Sequence, residues 1–90
     1  MEHIDFYLGE QRYLDFEVRS TKNEPFNIVD ADYTVTRKDG SVLDKGSATV
    51  VNSNLVKFLF NAKETGVFIV ALDVIIPPEK IEHKSFILVK

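Results

Sequence analysis

The 90-residue chain has no cysteine and no tryptophan. Without cysteine there is no disulfide, no thiolate zinc site and no thiol nucleophile, so burial and hydrogen bonding alone must hold the chain together. The same absence leaves the compartment open. Positive charge is also scarce: 11 Lys and Arg against 14 Asp and Glu give a net charge of -3. No run of basic residues forms the stripe that phosphate neutralisation needs, so no nucleic acid partner is expected. No apolar run approaches the roughly 20 residues of a spanning helix, so no membrane partner is expected either. Met1 to Asp5 has neither the basic start nor the apolar core of a secretion signal. No repeat, low-complexity segment or amphipathic helical pattern of useful length occurs.

What remains is an ordinary globular composition, 44% hydrophobic and 28% charged. That fits one small domain spanning residues 1–90. The stretch around which the chain is organised runs from Val67 to Ile76, between Thr65-Gly66 and Pro77-Pro78. Nine of its ten residues are apolar and seven are Val, Ile or Phe, a composition suited to a strand. A strand apolar on both sides is expected to lie centrally in a sheet and to be covered on both faces.

Other strands announce themselves by alternation. From Arg12 to Ser20, Leu14, Phe16 and Val18 share one face, and Tyr13, Asp15, Glu17 and Arg19 the other, the pattern of a half-buried antiparallel strand. Ala31, Tyr33 and Val35 repeat it between Ala31 and Lys38, and Val56, Phe58 and Phe60 repeat it between Leu55 and Phe60. Ile4 to Leu8, Ser41 to Lys45, Ser47 to Val51 and His83 to Val89 read as further short strands. Thr21 to Pro25 reads as a connection, with Phe26 and Ile28 tucked inward after it. Asp39-Gly40 suits a tight hairpin turn, and Gly46 a bend or bulge. Pro77-Pro78-Glu79-Lys80 would join the central strand to the last. Phe6, Phe16, Phe58, Phe60, Phe68 and Phe86 are the expected aromatic core. Seven to eight strands at about ten-residue spacing predict an all-β, antiparallel β-sandwich.

Several of these residues form a familiar series. Tyr7-x-Gly9-Glu10-x-Arg12-x-Leu14-x-Phe16-x-Val18, then Pro25, Ile28, Ala31, Lys38-Asp39-Gly40 and Thr65-Gly66-x-Phe68, resembles bacterial and bacteriophage immunoglobulin-like domains. The closest likeness is to the amino-terminal domain of phage baseplate upper proteins, virion components that help carry the host-adsorption device. The resemblance implies an immunoglobulin-like sandwich, a structural rather than catalytic role, and a place in a virion or bacterial surface assembly. One departure is Phe68, which stands where many such domains have a tyrosine whose hydroxyl bonds a nearby backbone group.

Candidate sites are few. His3 and His83 could form a pair only if the first and last strands were neighbours, and nothing beside either completes a metal or triad pattern. Asp30 and Asp32, with Asp5 or Asp39, lack the wrapping loop that supplies calcium with its six to eight oxygens. Arg37 and Lys38 read as protection for a sheet edge. Ser20, Ser41, Ser47, Ser53 and Ser85 fall in turns or polar strand positions with no positioned base. No catalytic residue, metal site or cofactor motif is assigned. Tyr13 and Tyr33 offer an alternative, a surface that stacks a ligand such as a carbohydrate.

The stronger signal is apolar. If Phe68, Val70, Leu72 and Val74 point into the core, then Val67, Ile69, Ala71 and Ile75 point away from it, and Ile87 and Val89 on the last strand are expected to join them, with Asp73 the single charge. Such a face calls for a protein partner, whether a second copy or another component of an assembly, unless the amino-terminal strand or a loop covers it.

Overall fold

Alternating side chains form strands here because each strand can bury one face in a shared core and leave the other to solvent. The computed structural model describes residues 2–18, 27–52 and 54–90. Eight strands are seen: β1 (Glu2–Phe6), β2 (Gln11–Glu17), β3 (Asp30–Arg37), β4 (Val42–Ser47), β5 (Thr49–Val51), β6 (Leu55–Asn61), β7 (Gly66–Ile76) and β8 (Glu79–Val89). They form a five-stranded sheet in the order β1-β8-β7-β3-β4 and a three-stranded sheet in the order β2-β6-β5. All neighbours are antiparallel except β1 and β8, which run parallel. The β-sandwich expected from the strand spacing is therefore observed. Arg19, Ser20, the Thr21–Pro25 connection, Phe26 and Ser53 lie outside the described residues.

β7 occupies the centre of the larger sheet, with β3 paired to it from Asp30 to Arg37 and β8 from Glu79 to Val89. Its even-numbered side chains Phe68, Val70, Leu72 and Val74 are buried. They share one core with Ala31 and Val35 of β3, Leu14 and Phe16 of β2, and Val56, Phe58 and Phe60 of β6. Phe6 meets Phe60 edge-on at 5.1 Å, and Phe16 stacks on Phe58 at 6.1 Å. Ile28 is buried, as expected of a residue tucked inward after the polar connection.

Three local expectations are revised. The β3–β4 turn has a three-residue loop rather than two: Arg37 N–H donates to Ser41 O at 2.8 Å, and Gly40 N–H donates to Arg37 O at 3.0 Å. Only Gly40, at φ 90°, takes a positive φ there, as in a turn closed by a glycine bulge. Asp39 stays at negative φ, and its Oδ1 accepts from Ser41 N–H at 2.8 Å and Ser41 Oγ–H at 2.6 Å. Those bonds hold the Asp39 carboxyl below its ordinary range.

Gly46 is no bend. It sits within β4 directly opposite Tyr33, whose ring crosses it so closely that a Cβ would lie 3.1 Å from the hydroxyl oxygen. On its other side the ring stacks on Phe58 at 4.0 Å and 7°. Tyr33 O–H reaches Asp44 Oδ2 at 3.5 Å, and burial, then the Asp44 charge, raises the tyrosine pKa.

The last strand starts four residues before the expected His83. Pro77-Pro78 alone makes the turn, through a cis peptide bond, and Ile76 faces Glu79 across it. The early part was illegible because every residue from Glu79 to Lys84 is exposed, so no apolar alternation marks it.

Phe68 is 2% exposed at the centre of the core. Phe68→Ala is expected to lower unfolding free energy by about 3–5 kcal/mol, a large share of the roughly 5–15 kcal/mol of a small domain. Urea denaturation followed by circular dichroism measures it.

Candidate functional site

Strand pairing fixes which side chains share the solvent face of the larger sheet. In an antiparallel pair, directly opposed residues point to the same side. Val67 of β7 lies opposite Leu88 of β8, Ile69 opposite Phe86, Ala71 opposite Lys84, Asp73 opposite Glu82 and Ile75 opposite Lys80. On the other flank Ile69 faces Thr36 of β3, Ala71 faces Thr34, Asp73 faces Asp32 and Ile75 faces Asp30.

Ile87 and Val89 therefore do not belong to this face. Both lie in the core, at 0% and 2% exposure, beside Phe6. The reason is the turn: a connection of even length pairs odd-numbered residues with even-numbered ones, so the outward side chains of β8 are Phe86 and Leu88. Phe86, expected in the core, is 37% exposed. Val67, Ile69, Ala71 and Ile75 do face outward and are half-buried. The amino-terminal strand does not fold over them, since β1 pairs along the outer edge of β8. Among the described residues none covers this face.

The face has two unlike halves. One holds Val67, Ile69, Ala71, Phe86 and Leu88, and a shallow depression there is lined by Val67, Phe86, Ile87, Leu88 and His3. His3 stands opposite Phe86 and bonds Asp5 Oδ1 through Nε2 at 3.1 Å. The other half carries Asp32, Asp73 and Glu82 in a row across three adjacent strands. Lys84 Nζ approaches Glu82 Oε1 at 3.3 Å. Ile75 lies beyond that acidic row, apart from the other apolar residues.

The remaining candidates do not converge. β1 and β8 are neighbours, yet His3 projects outward whereas His83 turns to the inner side, where it meets the Phe16 ring at 5.6 Å and Ser85 Oγ at 3.4 Å. Asp30 Oδ1 accepts from Ala31 N–H at 2.9 Å, a local backbone bond. No group of three or more His, Asp and Glu is placed to hold an ion among the described residues. Tyr13 and Tyr33 do not form one surface: Tyr33 lies between Gly46 and Phe58, while Tyr13 is exposed on the far sheet beneath Lys57 Nζ, 5.0 Å from the ring.

Arg37 does more than guard an edge. Its Nε donates to Glu64 Oε2 at 3.0 Å and Nη2 to Oε1 at 2.5 Å, while Nη1 reaches Ser41 Oγ at 3.2 Å and Val42 O at 3.3 Å. One guanidinium thus ties the β3–β4 turn to the β6–β7 connection. The hydrogen bonds from Arg37 hold the Glu64 carboxyl below its ordinary range, and those to Glu64 raise the Arg37 pKa.

No family model matches the chain, and no curated protein matches it. Among solved structures, the chain is similar to an engineered protein from the Northeast Structural Genomics Consortium, with a TM-score of 0.77 at 7% identity. The match covers 99% of this chain and 18% of that one. At this identity the likeness concerns the fold alone, and it supports the sandwich.

Two outcomes follow from the charges. Unfolded Glu64 binds its proton at a higher pH than the folded residue, so its stabilising contribution is present above the usual glutamate value and fades as pH falls through the lower folded one. Glu64→Gln should lose less thermal stability than the parent between about pH 6 and about pH 3, a window that spans the carboxylate titration; melts at a series of pH values test this. Asp73→Asn, which removes the middle charge of three, should raise stability by about 0.2–1 kcal/mol, the range for cross-strand pairs, as measured in urea.

Proposed function

We propose that this chain is a non-catalytic interaction module, an immunoglobulin-like sandwich that binds a protein partner through the apolar half of its outer sheet face. The observation that carries the reading is the group Val67, Ile69, Ala71, Phe86 and Leu88, contiguous across two strands and uncovered among the described residues. A soluble domain rarely leaves such a face open without using it. An aromatic ring and branched side chains surrounded by Thr34, Thr36, Asp5 and Lys84 suit an apolar interface centre with a polar rim.

Strand order supports the immunoglobulin-like part. β2, β5 and β6 share one sheet, as strands B, D and E do in that fold, and β3, β7 and β8 share the other, as C, F and G do, with β4 added beside β3. The setting we propose, a phage tail or baseplate-like particle or a bacterial surface assembly, rests on the motif resemblance. A carbohydrate-binding role is less favoured, because the two tyrosines it needs lie apart.

The test uses the purified chain as bait against extracts of the producing cells or particles, with three variants beside it. Ile69→Asp and Phe86→Lys should abolish capture of a protein that the parent retains, while Leu59→Asp, on the outer face of the three-stranded sheet, should not. Circular dichroism must show all three folded. Equal capture by every variant would remove the outer face from consideration, and unfolding of Ile69→Asp with normal capture by Phe86→Lys would place the binding surface elsewhere.

A further inference from the structure

β8 is longer than the strand that borders it. β1 pairs with it only from Ser85 to Val89, with Glu2 opposite Ser85. From Glu79 to Lys84, β8 bonds β7 on one side, and among the described residues no strand takes the other. Alternate residues of an antiparallel strand turn their backbone N–H and C=O groups to opposite edges, so this half-strand presents unpaired donors and acceptors. Natural sheets commonly blunt such an edge with charged side chains, lysine above all. Here the signs alternate.

The sequence Glu79-Lys80-Ile81-Glu82-His83-Lys84 has a property that solvation alone does not require. Two copies meeting edge to edge, antiparallel and about a two-fold axis, must oppose residues of the same face, which leaves only registers centred on a single residue. Centred on Lys80, lysine meets lysine. Centred on Glu82, glutamate meets glutamate and Lys80 meets Lys84. Centred on His83, Glu82 opposes Lys84 twice, but Ile81 then falls opposite Ser85, where β1 already pairs. Centred on Ile81, Lys80 opposes Glu82 twice on the outer face, while on the inner face Glu79 opposes His83 and Ile81 meets its own copy. Ile81 is 38% exposed in the single chain. The same register keeps the incoming strand short of β1, so the two meet end to end along the edge of β8.

We propose that this free half of the β8 edge is a self-recognition surface, through which two copies of the chain pair antiparallel over Glu79–His83 with the dyad at Ile81. Backbone hydrogen bonding supplies the adhesion, and the Lys80–Glu82 crossing supplies the register. The surface is separate from the apolar patch, because Phe86 and Leu88 lie alongside β1.

Sedimentation equilibrium of the full chain tests this. The parent should show a mass twice that of one chain at high concentration. Lys80→Glu and Glu82→Lys, each opposing like charges, should return the mass to that of a single chain, and the double exchange Lys80→Glu with Glu82→Lys should restore the dimer. Ile69→Asp should leave it unchanged. Since the chain has no cysteine, Ile81→Cys places one thiol per copy at the dyad, where opposed Cα atoms about 4.5–5.5 Å apart fall within disulfide reach. Oxidation should link it into a dimer, whereas Tyr7→Cys, in an exposed turn, should not link. A single-chain mass at every concentration overturns the proposal. So does a dimer that ignores the charge reversals, or one lost in Ile69→Asp but kept in Lys80→Glu, which would assign association to the apolar face.

Discussion

The packing of β7 against the facing sheet is the constraint from which the rest of the molecule follows. Phe68, Val70, Leu72 and Val74 can all be buried only if the strand stays straight and bonded on both edges, so β3 and β8 must flank it over nearly its whole length. The core then closes with rings from β2 and β6, and strands without a share in it become edges. With no disulfide to stiffen the chain, this burial carries most of the cohesion of the domain, and the Arg37–Glu64 tie adds a small local share. Their natures differ. The first is dry and non-directional, and the second is partly exposed and screened by salt.

A strand that buries one face so completely says nothing about its other face, and β7 uses that freedom unevenly. The end nearest Gly66 is apolar outward, and the end nearest Pro77 crosses a row of carboxylates. Asp73 breaks what would otherwise be a continuous apolar ribbon along the sheet. Like charges facing each other across strands cost stability, and in return they limit the apolar area to one end. For the interaction module proposed above, that arrangement would favour a partner of defined size over indiscriminate sticking.

Much of the fold is legible in the residues because alternation reports burial directly. Leu14 and Phe16, Ala31 and Val35, and Val56, Phe58 and Phe60 all face inward as their spacing says. The last strand shows the limit of that reading. From Phe86 to Val89 all four residues are apolar, so alternation cannot choose a face, and the odd-numbered parity of β7 carried over to β8 places Ile87 and Val89 outside. Turn length decides the matter: an even-numbered connection inverts the parity between strands, and one step of register moves every side chain to the opposite side. Residues 79 to 84 carry no burial signal, so their strand character comes only from pairing with β7. Arg37 was legible as a charge, but its bond to Glu64, 27 positions away, has no trace in local sequence.

The stacking of Tyr33 between Gly46 and Phe58 ties together three positions that are far apart in the chain. A side chain at position 46 and a ring at position 33 press on one volume, so a larger residue at 46 requires the ring to shift or shrink. Across a lineage of such domains these two sites should covary: where the glycine is replaced, the aromatic should shrink or vanish, and where the ring persists, the glycine should persist with it.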